Sequence, residues 1–156
     1  MTEPSLKPGD VLLYAGGSWF ARLIQAKTWS RYSHCEVYDG DGFSMASRDG
    51  IGVGRYLLRT DGLRVILRPV AKFDAVAART GFATVNGQPY FWFGLLAFAN
   101  AKRQGRENWK MFCSEFACRC LRAGGVDPFN GYDADGIAPG EFMKSTALLV
   151  VWNSRG

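Results

Sequence analysis

Short apolar runs separated by turn residues fill the first half of the chain. The run 11–14 follows the turn Lys7-Pro8-Gly9-Asp10, and residues 63–68 alternate between apolar and polar side chains. Both patterns are typical of short strands with one buried face. Further runs of the same kind predict strands at 33–38, 43–47, 51–53 and 147–152.

Helical spacing appears in four other segments. Ser18 precedes residues 19–27 and is a suitable N-cap, and residues 73–85 and an aromatic stretch after Tyr90 also look helical. The clearest helix begins near Cys113 and ends at Gly124-Gly125, a common helix stop. We expect one helical turn at 139–143. Strands followed by helices predict an α+β domain built on an antiparallel sheet.

Length and composition narrow the classes of protein to consider. With 156 residues, 47% apolar and 21% charged, the chain fits a single domain spanning 1–156. The net charge of +5 comes without a basic run, so we expect no nucleic-acid partner. The longest apolar stretch, 90–101, is too short to cross a bilayer, although peripheral contact with a membrane stays open.

The N-terminal sequence MTEPSLKPGD lacks the basic start and apolar run of a secretory signal. The four cysteines are therefore expected to be thiols rather than a disulfide framework. We expect a monomeric cytoplasmic protein by default. A specialised or lysis-type route to the cell wall would leave no mark in this sequence.

Cys113 lies where an extended apolar segment meets a predicted helix start. Backbone N–H groups in the first turn of a helix are unpaired and carry partial positive charge, which favours a thiolate and can hold an oxyanion. A buried, inert thiol is the alternative, because most free cysteines pack as small apolar residues.

His34 is the single histidine of the chain, so a cysteine nucleophile that needs an imidazole base would have to use it. Glu36 follows two residues later on the same predicted strand, and side chains at that spacing share a face. Glu36 is therefore a candidate for orienting His34 directly or through water. A half-exposed histidine beside a solvated glutamate is the competing interpretation.

An ordered set of motifs resembles the NlpC/P60 cysteine peptidases. The set comprises the opening Leu6-Lys7-Pro8-Gly9-Asp10-Val11, the Ser33-His34 strand, the segment Gly87-Gln88-Pro89-Tyr90 and the helix start Phe112-Cys113-Ser114-Glu115. With His before Cys, the order is similar to the circularly permuted branch, which includes YiiX/YebB-like and lecithin:retinol acyltransferase-like proteins. The resemblance implies a permuted papain-like fold, either an antiparallel sheet or a small barrel packed against helices.

The resemblance also implies an activity and roles for individual residues. Cys113 would be the nucleophile of an amide hydrolase and His34 its base, with Tyr90 and Ser114 near the substrate and the oxyanion. The implied substrate is a peptidoglycan stem peptide or a related γ-glutamyl or D-amino-acid amide, cleaved without a cofactor. Where many permuted relatives carry Glu-Ala after the histidine strand, this chain has Met45-Ala46. The third polar group is then Glu36, Ser44 or Ser47, or the site is a dyad.

Two other functions stay open at this point. The same Cys–His pair would serve a lipid-directed thiol acyltransferase or a phospholipase-like enzyme, and the fold would also serve as a binding module without catalysis. Cysteine spacing gives no zinc motif, so no metal is expected. Finally, Arg55, Arg59, Arg64 and Arg68 recur through the middle of the chain and are expected to form a solvated face.

Overall fold

Six strands form one antiparallel sheet in a computed structural model that describes residues 5–87, 112–134 and 136–154. The strands are β1 (Val11–Tyr14), β2 (His34–Gly40), β3 (Phe43–Arg48), β4 (Gly52–Leu57), β5 (Leu63–Pro69) and β6 (Leu148–Asn153). Their spatial order is β4-β3-β2-β1-β5-β6. The α+β prediction is confirmed. Of the two predicted forms, the open sheet is correct and the small barrel is wrong, because β4 and β6 are edges that do not pair with each other.

The hairpin between β2 and β3 turns later than the sequence suggested. The predicted strand 33–38 ends at Tyr38, but β2 continues to Gly40, and the turn is made by Asp41 and Gly42. Both turn residues have positive φ, 53° and 78°, which is the backbone of a type I′ hairpin. Asp39 stays in the strand because its carboxylate is buried between two arginines.

Three α-helices are described: α1 (Trp19–Thr28), α2 (Ala75–Ala83) and α3 (Cys113–Ala123). A 3-10 helix, Pro139–Lys144, follows them. The predicted cap of α1 is confirmed, since the Ser18 hydroxyl accepts a hydrogen bond from the Ala21 N–H at 3.1 Å. The predicted helix 73–85 is shorter in the structure because Asp74 caps it. The helix expected after Tyr90 lies outside the described residues.

The sheet has two apolar faces of unequal size. Val11 and Leu13 point into the larger core, which α3 covers with Phe116 and Leu121. On the opposite face Leu12 packs in a smaller cluster with residues of β5 and the partly buried Trp152. This alternation is what the period of a strand requires. Helix α3 lies against β2 and β3, which brings its first residue to the sheet.

Over the described ranges, every helix is too short or too polar to reach across a bilayer.

Candidate active site

Cys113 is the first residue of α3 and is nearly buried, with 3% of its surface exposed. The preceding Phe112 is extended (φ −71°, ψ 157°), so the chain turns sharply into the helix at the cysteine. A phenylalanine side chain has no atom that accepts a hydrogen bond. The backbone N–H groups of the first helical turn therefore receive no acceptor from the side chain of the N-cap residue. They point out of the N-terminal end of the helix, where Cys113 lies.

His34 is the first residue of β2, and its ring is held by the strand itself. The ring Nε2 lies 3.1 Å from Glu36 Oε1, and since a carboxylate accepts, Nε2–H is the donor. This hydrogen bond leaves Nδ1 as the ring nitrogen that can exchange a proton with Cys113, which is near enough to His34 to raise the pKa of the imidazole. The structure thus brings Cys113, His34 and Glu36 together.

Glu36 is fully buried and surrounded by donors. Arg48 Nε donates to Oε1 at 2.9 Å and Arg48 Nη2 donates to Oε2 at 3.1 Å. The Ser44 hydroxyl also donates to Oε2, and Arg59 Nη2 approaches Oε1 at 3.3 Å. Burial alone would raise the pKa of Glu36, but hydrogen bonds from His34 and Arg48 outweigh it and lower the pKa to about 2. Glu36 is therefore a fixed anion rather than a proton carrier.

The pKa values of Cys113 and His34 move in the directions of an ion pair. For Cys113, a hydrogen bond from Cys35 lowers the pKa, burial opposes this, and the charge and hydrogen bond of His34 lower the pKa further, to well below its ordinary value. For His34, burial lowers the pKa, but Cys113 and Glu36 outweigh burial and raise it to about 9. Both shifts favour a thiolate on Cys113 and an imidazolium on His34.

Two site residues were missed in the sequence. Cys35 follows His34 directly and is among the groups that lower the pKa of Cys113, and Arg48 at the end of β3 donates to Glu36 from 12 positions away. A cysteine adjacent to the single histidine was a signal for the first. Arg48 gave no signal, because its role depends on how β3 pairs with β2.

The other predicted site residues have different places. The Ser114 hydroxyl donates to the Ile137 carbonyl, so its side chain secures α3 to the following loop, and its backbone N–H is the group left to serve an oxyanion. Ser44 contacts Glu36 rather than His34. Ser47 is buried in β3, and Tyr90 lies outside the described residues.

The expected solvated arginine face is exposed at Arg55 and Arg59 and partly buried at Arg68, but the expectation missed that all three of these arginines pair with buried carboxylates. Arg59 reaches Glu36, Arg55 Nε lies 2.5 Å from Asp39 Oδ2, and Arg68 Nη2 lies 2.7 Å from Asp10 Oδ2. Each of the three carboxylates is buried, and a buried charge requires a partner. The fourth residue, Arg64, is exposed and does not take part in this pairing with buried carboxylates.

A cavity of about 350 Å³ opens beside His34. Its lining includes Arg48, Arg59, Asp49 and Ile51, together with Ser18 of the α1 cap. No group of three or more metal-ligating side chains occurs in 5–87, 112–134 or 136–154.

Comparison with known proteins gives a structural likeness. No family model and no curated protein matches the chain. Among solved structures, the crystal structure of the metalloprotein YiiX from Escherichia coli O157:H7 (DUF1105) matches with a TM-score of 0.68 and 14% sequence identity. The match covers 95% of this chain and 97% of that chain. This likeness shows that the two proteins share a fold.

Proposed function

We propose that this chain, on the fold it shares with YiiX, is a cysteine hydrolase that cleaves an amide bond. The observation that supports the proposal is the linked set Cys113–His34–Glu36. A thiol at a helix start has its pKa lowered by the neighbouring His34, and the Nε2 of that histidine lies 3.1 Å from a buried carboxylate. That is the geometry of an activated nucleophile, its base and a group that orients the base.

In the proposed reaction the Cys113 sulfur attacks the carbonyl carbon, and the C–N bond breaks when His34 gives its Nδ1 proton to the leaving amine. Water then attacks the thioester carbon while the neutral His34 takes a proton from that water, and the C–S bond breaks to release the carboxylic acid product and restore the Cys113 thiolate. Glu36 keeps its charge throughout and stabilises each imidazolium state. The backbone N–H groups of Cys113 and Ser114 face the carbonyl oxygen as negative charge develops on it. The role expected of Tyr90 stays a prediction.

The cavity beside His34 supports a substrate with polar groups on both sides of the scissile bond. Arg59 is half exposed and Asp49 is close enough to His34 to interact with its charge. A cationic and an anionic side chain in one cavity suit a peptide amide with charged substituents, and the expected peptidoglycan stem peptide or γ-glutamyl amide is such a compound.

One observation favours lipid-directed acyl transfer as a second candidate. Trp29, directly after α1, is 97% exposed, and the same helix supplies Ala21 and Ile24 to the cavity wall. Exposed tryptophans are common where a protein meets a membrane surface. The same Cys113 thioester would then carry a fatty acyl group.

YiiX is described as a metalloprotein, but the donors at the present site do not fit a metal ion. Glu36 is the carboxylate closest to His34, and its two oxygens face the guanidinium groups of Arg48 and Arg59. A cation placed there would be repelled by both. No step of the proposed reaction involves a metal.

The proposal is tested with Cys113→Ser, a nearly isosteric change, and with Cys118→Ser as the matched control on the same helix. Purified sacculi and phospholipid vesicles are incubated separately with each protein. New peptide amines from sacculi, abolished in Cys113→Ser and kept in Cys118→Ser, would support the amide hydrolase. Acyl transfer from vesicles with no new amines would favour the second candidate. Cys113→Ser with full activity would place the nucleophile elsewhere, and no turnover of either substrate would favour a binding module.

A further inference from the structure

Glu36 has one more hydrogen-bond donor than its carboxylate requires. His34 Nε2 and Arg48 Nε donate to Oε1, and Ser44 Oγ and Arg48 Nη2 donate to Oε2. These bonds occupy the roughly four acceptor positions of an ionised carboxylate. Arg59 Nη2 is the most distant donor, 3.3 Å from Oε1, and an ion pair with so exposed a partner contributes little to stability. Support of Glu36 therefore does not account for Arg59.

The two arginines at Glu36 differ in how many of their donors are used. Arg48 is largely buried, its Nη2 also donates to the Leu57 carbonyl, and its guanidinium lies over the Tyr56 ring at 4.3 Å. In the part of the chain that the structure describes, the Arg59 guanidinium has Glu36 as its single hydrogen-bond partner, and its side chain is 51% exposed. Most N–H groups of Arg59 thus have no acceptor among these residues.

Arg59 lines the cavity beside His34, and its backbone is anchored to β1. The hydroxyl of Tyr14, a buried residue of β1, donates to the Arg59 carbonyl at 2.9 Å. The Arg59 guanidinium also lies 5.7 Å from the centre of the Tyr14 ring. Because Arg59 Nη2 and His34 Nε2 contact the same oxygen of Glu36, the unused donors of Arg59 lie close to the histidine ring.

We propose that Arg59 binds a carboxylate of the substrate and so determines specificity, an inference that rests on the proposed amide hydrolysis. The carboxylate would lie a few bonds from the scissile amide, because Arg59 and His34 are neighbours in one cavity. A guanidinium presents paired N–H groups that match the two oxygens of a carboxylate. Arg59 would therefore distinguish substrates with a carboxylate near the scissile bond from neutral amides of the same size.

The charges around the cavity favour a carboxylate over a phosphate group. Asp49 lines the same cavity, and Glu36 accepts a hydrogen bond from Arg59 itself. Both acids repel an incoming anion, and they repel a phosphate dianion more strongly than a singly charged carboxylate. The proposed ligand is therefore a monoanion.

The experiment measures binding without turnover, in the full chain carrying Cys113→Ser. Glutaramate and glutaramide have the same length and each has a primary amide, but only glutaramate has a carboxylate. Since His34 is the single histidine, its labelled ring gives one set of NMR signals that reports binding in the cavity. We expect glutaramate to bind at least about 10-fold more tightly than glutaramide, as a charge-assisted hydrogen bond would give. Inorganic phosphate should bind more weakly than glutaramate.

Arg59→Gln should abolish the preference for glutaramate. The affinity for glutaramide should stay within about 2-fold, because a neutral ligand does not depend on the guanidinium charge. Arg59→Lys keeps the charge without the paired N–H groups and should retain part of the preference. Arg64→Gln is the matched control, since Arg64 is exposed and does not line the cavity, and it should leave both affinities unchanged.

Equal affinities for glutaramate and glutaramide, an unchanged preference in Arg59→Gln, tighter binding of phosphate than of glutaramate, or no binding of either amide would each overturn the proposal. If Arg59→Gln does not fold, Arg59→Lys gives the comparison, and if Cys113→Ser does not fold, the titrations use the unsubstituted chain. Because binding is read without turnover, failure of this proposal is distinct from failure of the proposed hydrolysis. Carboxylate binding by Arg59 in a protein that releases no amines from sacculi would overturn the hydrolase alone.

Discussion

Two buried carboxylates lie three residues apart on β2, and they differ in the donors that accompany their arginines: Glu36 also has Ser44 and His34, and only His34 can carry a proton. Asp39 receives Arg55 Nε at 2.5 Å and Arg79 Nε at 2.6 Å. Glu36 also receives two arginines, but His34 donates to it as well.

The comparison distinguishes a structural role of a buried carboxylate from a role in catalysis. Arginine pairing of a buried carboxylate is a repeated structural feature of this chain, since Asp10 is held by Arg68 in the same way. The histidine is what makes one of these three sites a candidate for catalysis. Asp39 is therefore an internal control for Glu36.

The largest expected effect comes from Glu36→Gln. A neutral amide keeps an acceptor but loses the charge that stabilises the imidazolium, so we expect the rate of the proposed hydrolysis to fall by roughly 10- to 1000-fold. The pKa of His34, about 9 in the wild type, should fall, which moves the alkaline limb of the pH–rate profile to lower pH. Steady-state rates across that limb provide the measurement.

Asp39→Asn is the matched control for Glu36→Gln. It removes a charge from the same strand without touching His34, so we expect a rate within about 2-fold of the wild type and a loss of about 1–3 kcal/mol in the free energy of unfolding. Equal losses of rate in the two variants would show that Glu36, like Asp39, has only a structural role.

The next largest effect is expected on the free energy of unfolding at acidic pH. The pKa of Glu36 is about 2 in the folded protein against an ordinary 4.5, so the folded state binds its proton more weakly than the unfolded state. Its contribution, on the order of 3 kcal/mol, is therefore complete above about pH 4.5 and is lost as pH falls toward 2. Urea unfolding of the wild type and Glu36→Gln at several pH values should show the difference between them narrow below pH 4.5. A constant difference would contradict the prediction.

The smallest effect is expected from the arginines of the Glu36 site. Arg48 is 14% exposed and makes two hydrogen bonds to Glu36, whereas Arg59 is 51% exposed and makes one. Arg59→Gln should cost less than about 1 kcal/mol in unfolding free energy, as exposed ion pairs do, and Arg48→Gln about 2 kcal/mol or more. Chemical denaturation of both variants gives the two values. The reverse order would mean that exposure does not decide which arginine holds Glu36.

Local patterns in the sequence predicted the elements and half of the site. Alternation located the strands, Ser18 marked the start of α1, and the spacing of His34 and Glu36 put their side chains on one face. Each of these features depends on residues no more than four positions apart, so the sequence alone shows them.

Features that depend on strand pairing were not predictable in the same way. Arg48 and Arg68 meet their carboxylates across 12 and 58 positions, and only the register of the sheet determines which arginine reaches which acid. In the sequence these arginines look alike, so the prediction of a solvated face missed the buried carboxylates with which Arg55, Arg59 and Arg68 pair. The position of Cys113 beside the histidine strand likewise depends on where α3 packs against β2.

His34 and Glu36 form a unit of three consecutive positions on one strand, and Cys113 is the only member of the set that comes from elsewhere. The proposed chemistry therefore depends on the relative position of two residues, the first residue of β2 and the first residue of α3. Apolar packing of the helix on the sheet maintains that position. Which of the two elements is synthesised first has no bearing on that relation. If the two termini were joined and the chain were opened at a different loop, the same three side chains would have the same arrangement. A site of this kind can persist while the order of the elements along the chain is rewritten.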